Sequence, residues 1–322
     1  MKFLENEPLS VHTTFHLGGK ARYFCEVNSL NELKEALGFA KAKKLPYFIL
    51  GGGSNVVADD GGYGGVVIKL KVESPPAGEA GYKVKGIYIE AEAGVSLATV
   101  VSESLKNGLV GIEWAWGIPG TIGGAVRGNA GAYGGEMKDS IQSVKVLRNG
   151  KVVVLENKDC GFGYRESVFK KNSDIILSVR LRLNKKNSDG STSLTTQHDF
   201  INKVKEERAG KFSGGYSAGS FFKNIVLSEK KIKEFQKKFP DLSEQSIKNK
   251  VVPAAWLIDQ CGLKGFCVGG ICVSEKHAGV ILNLGVGTSD QLYQLVGIVK
   301  MKVRDKFGVE LEEEIVYLRN TI

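Results

Sequence analysis

The sequence predicts strands and helices interleaved over about two domains, and three observations carry that reading. Apolar runs of strand length recur from residue 23 to 183 and again from 268 to 318. Helical periods cover 30–43, 97–107 and 289–307, and two glycine-rich stretches interrupt the pattern. A chain of 322 residues buries a substantial core. Its 42% hydrophobic and 25% charged residues are those of an ordinary soluble protein. No apolar run reaches the roughly 18 residues that a membrane span needs, and no secretory leader is expected from Met1-Lys2-Phe3-Leu4-Glu5.

In chain order, residues 1–22 read as irregular and 23–27 as a strand. Ser29 is placed to cap a helix over 30–43, with Leu30, Leu33 and Leu37 at helical intervals. Pro46 closes it, and the strand 47–50 empties into Gly51-Gly52-Gly53-Ser54-Asn55 before the apolar pair Val56-Val57. That pattern reads as strand, anion-binding turn, strand, the alternative being a glycine hairpin with no ligand. Strands follow at 66–70, 82–84 and 86–91, with a turn at Pro75-Pro76-Ala77-Gly78, and a helix over 97–107 stops at Gly108.

The most unusual stretch is Gly117-Ile118-Pro119-Gly120-Thr121-Ile122-Gly123-Gly124-Ala125-Val126, continuing to Gly134. It holds seven glycines in eighteen residues. Glycine is costly in regular structure and is tolerated where φ is positive or where something presses on bare backbone, so a loop moulded onto a ligand is expected. Trp114 and Trp116 beside it read either as core residues or as walls for a planar cofactor. Neither glycine stretch matches G-x-G-x-x-G, and no G-x-x-x-x-G-K-[ST] occurs, so a Rossmann or P-loop nucleotide site has no support.

Strands return at 144–147, 152–155 and 175–183, with Asn149-Gly150 as a hairpin turn. Residues 184–197 read as a linker, followed by a helix over 199–208, the loop 214–224 and two further helices. Strands at 268–273 and 278–282, a helix over 289–307 ended by Gly308, and a strand over 309–318 complete the chain. The five cysteines include no C-x-x-C pair and are expected to be thiols in a reducing cytoplasm, with no metal site. The net charge of +9 fits either a lysine-rich surface or a partner with several negative charges.

Five motifs, in order, closely resemble the UDP-N-acetylenolpyruvoylglucosamine reductase (MurB) family: Leu50-Gly51-Gly52-Gly53-Ser54-Asn55, the 117–125 stretch, Phe162-Gly163-Tyr164-Arg165, Ala218-Gly219-Ser220-Phe221-Phe222-Lys223-Asn224, and Leu311-Glu312-Glu313-Glu314. The resemblance implies an α+β, two-subdomain FAD-binding fold of the vanillyl-alcohol oxidase (PCMH) type plus a smaller C-terminal α+β substrate-binding domain. Boundaries are expected at 1–75, 76–205 and 206–322, the last strand, about 309–322, returning to the flavin domain. The short gap between Arg165 and Ser220 is similar to that of the family's compact subclass.

The same resemblance implies non-covalent FAD held by Leu50, Gly51, Gly52, Gly53, Ser54, Asn55, Gly117, Ile118, Pro119, Gly120, Thr121, Ile122, Gly123 and Gly124. It implies a cytoplasmic monomer that takes NADPH and UDP-N-acetylglucosamine enolpyruvate in turn in one cleft, without nucleic acid or membrane. Hydride arriving at the terminal carbon of the enolpyruvyl group pushes charge onto its carboxylate. Arg165 is expected to hold that charge through a planar guanidinium, Glu314 to help by keeping its proton, and Ser220 to donate a proton to the adjacent carbon. Lys223, Asn224, Arg208 and Lys211 are the candidates for the nucleotide's phosphates or sugar. Residue by residue, each of the three catalytic candidates also fits an exposed turn or strand edge. Two other readings are weighed: another FAD-dependent oxidoreductase on the same scaffold, and a basic nucleic-acid-binding protein whose aromatic-and-basic strand motif is missing.

Overall fold

The computed structural model describes residues 1–71, 81–185, 201–204, 206 and 214–320. The turn predicted at 75–78, most of the linker at 184–197, half of the helix at 199–208, Arg208 and Lys211 lie outside the described residues. By contacts the chain divides into two units, one of Met1–Glu7, Ala21–Gly53 and Tyr63–Ala209, the other of Pro8–Lys20, Ser54–Gly62 and Gly210–Ile322.

The first unit contains two sheets. In the four-stranded sheet the order is Leu4–Pro8, Lys20–Val27, Tyr63–Leu70, Tyr47–Leu50, the last three strands running parallel. Parallel neighbours need a crossover, and the Leu30–Ala42 helix supplies one. Ser29 accepts from the Glu32 N–H as its cap, and the helix buries Leu33, Ala36 and Ala40 in one core with Cys25, Val27, Val66 and Ile68. Residues 4–12 are not irregular as expected: Leu4–Pro8 is a strand and Leu9–His12 a 3-10 turn. Leu4-Glu5-Asn6-Glu7-Pro8 lacks the apolar alternation that marks a half-buried strand, because it lies at the sheet's edge.

The second sheet is antiparallel, in the order Lys151–Glu156, Ile141–Arg148, Ile175–Arg182, Tyr88–Glu92, Tyr82–Lys85. Asn149 and Gly150 take positive φ of 49° and 77° at its first hairpin, the conformation a two-residue turn demands. Two helices, Leu97–Lys106 and Ile122–Gly128, contact its Tyr88–Glu92 strand. The second of these corrects the reading of 117–134 as loop throughout. Thr121 caps it through the Gly124 N–H, and Ile122, Ala125 and Val126 form a buried face at helical spacing that outweighs three glycines.

In the second unit the Ser289–Phe307 helix fills the middle of the core, with Leu292, Leu295, Val296, Val299 and Val303 as one buried stripe. Its start is a Thr288/Gln291 capping box and its end is Gly308 at φ 67°. Three helices rather than two precede it, Glu229–Lys238, Glu244–Asn249 and Ala254–Gln260. The strand expected over 268–273 is instead the hairpin Cys267–Val268 and Ile271–Val273, since Gly269 at φ 56° reverses the chain. Cys267 and Cys272 face each other across it and form a disulfide, which corrects the expectation of five thiols. Cys25 and Cys160 are buried thiols, and Cys261 is half-buried. Of the strand expected over 309–318, only Val316–Leu318 is regular, and it pairs in parallel with Val56–Ala58 of the same unit.

Candidate active site

The two glycine loops of the first unit press on each other. A Cβ on Gly51 would lie 2.6 Å from Thr121 Oγ1, and one on Gly52 would lie 2.8 Å from the Gly120 Cα. Gly123 is equally confined, its Cβ position falling 2.7 Å from that of Ala93. Glycine at 51, 52 and 123 is therefore required by the protein's own backbone. Gly120 at φ 110°, Gly117 at 72° and Gly53 at 67° are required by conformation. Gly124 is different: it is exposed, and a Cβ there would meet only Thr121 Oγ1, at 3.6 Å. Backbone bonds from Leu97 N–H to Gly120 O, Ile122 N–H to Val95 O and Gly123 N–H to Ala93 O fix the second loop to the 93–97 segment. A bare-backbone cradle that suits an anionic or planar group results, so the residues fit FAD. Trp114 does not wall it: the ring is 7% exposed and packs on Gly135.

Arg165 stands at the tip of a tight turn in the same unit. Gly163 and Glu166 exchange both backbone hydrogen bonds, at 3.0 and 3.1 Å, and Arg165 itself takes φ 56°. A non-glycine residue in this region costs energy and is worth inspecting for function. The guanidinium donates from Nη2 to Gly131 O at 2.6 Å and lies over the Tyr164 ring, while Lys170 Nζ donates to Arg165 O at 2.7 Å. Arg127, on the adjoining helix, has its pKa lowered by desolvation, partly offset by Glu166.

In the second unit Glu314 is bonded to the strand segment that carries Ser220. Ser220 is exposed and bridges Val280, Phe221 donates to Gly279 O at 2.8 Å, and Glu314 N–H donates to Phe221 O at 2.8 Å. One strand segment, 220–223, is thus held on one side by 279–280 and on the other by 312–314. Gly219 at φ 81° turns the chain into it. Of the three successive glutamates, Glu312 pairs with Lys223 at 2.5 Å and Glu313 with Lys300 at 2.8 Å, while the half-buried Glu314 is tied by its backbone to Phe221 and to Asn55. His277 Nδ1 accepts from Gly279 N–H at 3.2 Å and so supports the strand opposite Ser220.

The other expected contacts are distributed unevenly. Lys223 is 12% exposed and already paired with Glu312; Asn224 Oδ1 caps the Ala254–Gln260 helix through the Ala254 N–H at 3.1 Å. Asn55, read from sequence with the glycine loop, belongs with Ser54 to the second unit, where its side chain bonds Glu314 O. Sequence reasoning missed Asn129 and Ser167, whose buried side chains grip the Arg165 turn. Asn129 caps a helix that its own glycines hide, so no sequence signal pointed to it.

Residues 211–318 match the family model for the C-terminal domain of UDP-N-acetylenolpyruvoylglucosamine reductase, and residues 21–156 match a FAD-binding domain. A UDP-N-acetylenolpyruvoylglucosamine reductase of Caldicellulosiruptor bescii is 36% identical over 320 residues, 99% of this chain and 91% of that one. The chain belongs to the UDP-N-acetylenolpyruvoylglucosamine reductase family. A second reductase of this family, from Caldanaerobacter subterraneus subsp. tengcongensis, is 34% identical over 98% of this chain and 93% of its own. The crystal structure of the reductase from Thermus caldophilus superposes with a TM-score of 0.73 at 31% identity, covering 98% of each chain. The α+β architecture of a FAD-binding domain followed by the reductase family's own C-terminal domain is therefore as expected. That second match begins at 211, beside the start of the second unit's last segment at Gly210.

Proposed function

We propose that this chain reduces the enolpyruvyl ether of UDP-N-acetylglucosamine to the lactyl ether, with NADPH as reductant, as a step of cytoplasmic peptidoglycan precursor synthesis. The observation that carries the reading is the backbone bond from Glu314 N–H to Phe221 O, which ties Glu314 to the residue next to Ser220, within a chain of this family. Bound FAD supplies the hydride. The glycine backbone of 51–53 and 117–124 would hold the cofactor, with donors fixed by the surrounding hydrogen bonds rather than by side chains.

Arg165 binds the substrate carboxylate, and its permanent charge favours the state in which the carboxylate becomes part of an enolate dianion. Glu314, half-buried beside Phe221, offers its proton as a hydrogen bond to the same developing charge. Ser220 Oγ then gives its proton to the carbon next to the carboxylate, and water returns a proton to the serine. Hydride and proton together saturate the double bond, so the product retains the carboxylate and the ether. Lys223 and Asn224 are proposed to meet the nucleotide part of the substrate, Lys223 by exchanging Glu312 for a phosphate. Subdomains at 1–75 and 76–205, with a substrate domain over 206–322, and a monomeric state are part of the proposal.

The test is direct. Purified protein should show flavin absorbance that bleaches with NADPH under anaerobic conditions and returns on adding UDP-N-acetylglucosamine enolpyruvate. Bleaching that only oxygen reverses, with the enolpyruvyl compound inert, would assign the chain to a different flavin chemistry.

A further inference from the structure

Resting on the reading of Arg165 as the carboxylate-binding group, a second residue follows from how its turn is held. Within the first unit, the chain leaving the Ile122–Gly128 helix grips the turn at three points. Ser167 Oγ donates to Arg127 O at 2.6 Å, Asn129 Nδ2 to Gly163 O at 2.8 Å, and Arg165 Nη2 to Gly131 O at 2.6 Å. Residues 127, 129 and 131 are spaced by two, and their partners 167, 163 and 165 span the whole turn.

Asn129 is the centre of this grip. It is fully buried, caps the helix at φ 42°, and commits its amide on both sides: Nδ2 also donates to Glu136 Oε2 at 3.2 Å, and Oδ1 accepts from Lys138 N–H at 3.0 Å. A carbonyl such as Gly163 O only accepts and a backbone N–H such as that of Lys138 only donates. The site therefore demands a group with a donor and an acceptor side by side, on a residue that tolerates the left-handed region, and asparagine meets both conditions. Gly131 shows the same fit to the guanidinium, since a Cβ there would fall 3.1 Å from Arg165 Nη1 and 2.7 Å from Gly135 O.

We infer that Asn129 is the positioning residue for Arg165, fixing the guanidinium relative to the helix whose amino end carries the 117–124 loop. That helix is seven residues long. Its amino end thereby serves the cofactor loop and its carboxyl end the residue that takes the substrate carboxylate. A change at Asn129 should move Arg165 without touching the glycine backbone.

The experiment uses the flavin-loaded full chain with Asn129→Gly, which keeps the left-handed backbone and removes all three side-chain bonds, and Asn129→Asp, which keeps the acceptor for Lys138 but loses the donor to Gly163. Displacement of a binding group by about 1 Å costs on the order of 100-fold. Flavin reduction by NADPH should stay within about twofold of wild type, while reoxidation by the enolpyruvyl substrate falls about 10- to 100-fold by the same argument. In an Arg165→Lys background the extra loss should nearly vanish, since the two residues act as one. Trypsin cleavage after Arg165 should also accelerate relative to cleavage after Lys171. Equal slowing of both half-reactions, an undiminished loss in the Arg165→Lys background, or unchanged cleavage after Arg165 overturns the inference. If Arg165→Lys alone reoxidises at the wild-type rate, the carboxylate reading of Arg165 fails instead, and the trypsin comparison still decides the clamp.

Discussion

Asn55 Nδ2 donates to the backbone carbonyl of Glu314 at 3.1 Å, joining residues 259 positions apart in sequence. The next backbone bond, Val316 N–H to Asn55 O at 2.9 Å, continues into the parallel pairing of Val56–Ala58 with Val316–Leu318. The end of the glycine-rich motif is thus a strap on the segment that carries Glu314. A motif read as a single loop serves two units.

Replacing Asn55 by alanine should therefore affect the proposed role of Glu314 more than flavin binding. Loss of one such hydrogen bond costs about 1 kcal/mol, which a urea titration of the variant resolves. Reoxidation of the reduced flavin by the enolpyruvyl substrate should slow, with reduction by NADPH little changed. Weakened flavin binding with a normal second half-reaction would return Asn55 to the cofactor.

The glycines make a second prediction, because two kinds are present. Gly52→Ala puts a methyl 2.8 Å from the Gly120 Cα, a backbone atom that has little room to retreat, so the apoprotein itself should lose stability. Gly124→Ala meets nothing closer than 3.6 Å. It should leave the melting temperature of the apoprotein near wild type and still weaken flavin binding, as measured by fluorescence titration. If Gly124→Ala bound FAD as tightly as wild type, the exposed face of that helix end would not be part of the cofactor site.

How much of this was legible in sequence depends on the kind of interaction. The Ser289–Phe307 helix, the Asn149-Gly150 turn and the strand Tyr47–Leu50 are set by local chemistry, a capping box, two positive-φ residues and a β-rich run, and all are where the pattern put them. The Gly269 reversal was hidden inside an apolar run, and the short Ile122–Gly128 helix inside glycines. Arg165, Ser220 and Glu314 are proposed from motifs that the sequence displays. Their supports are not, because the bonds from Asn129 to Gly163 and from Asn55 to Glu314 span 34 and 259 residues and leave no periodic trace.

Flavin should be held without a covalent bond. Burial, then Glu32 and Glu35, pushes the Cys25 thiol up to about 12, and burial, then Asp159 and Glu156, pushes Cys160 up to about 11. A thiol so raised presents almost no thiolate at neutral pH, and thiolate is the reactive form. Acid precipitation followed by centrifugation should leave the yellow colour in the supernatant. Colour in the pellet would contradict this, and peptide mapping would then identify the attachment.

Ser220→Ala separates proton donation from everything else. Hydride transfer from NADPH to the flavin needs no proton at the substrate's carbon, so anaerobic bleaching should proceed at about the wild-type rate. Completion of substrate reduction does need that proton, and removing a positioned donor typically costs about 100- to 10,000-fold. Serine is a weak acid, so the proposed role requires the substrate enolate to be strongly basic. The exposed Ser220, fixed by the Val280 bridge and by the bonds Phe221 makes on either side, has the fixed backbone that such a transfer requires. Substitution by alanine removes only the hydroxyl and leaves those backbone bonds, so the melting temperature should hold. Stopped-flow reoxidation with the enolpyruvyl substrate should fall by the stated factor, and Ser220→Cys, with a more acidic proton in the same place, should recover part of it. A wild-type reoxidation rate in Ser220→Ala would mean that solvent or another group protonates the carbon, leaving Ser220 with a role in shape alone.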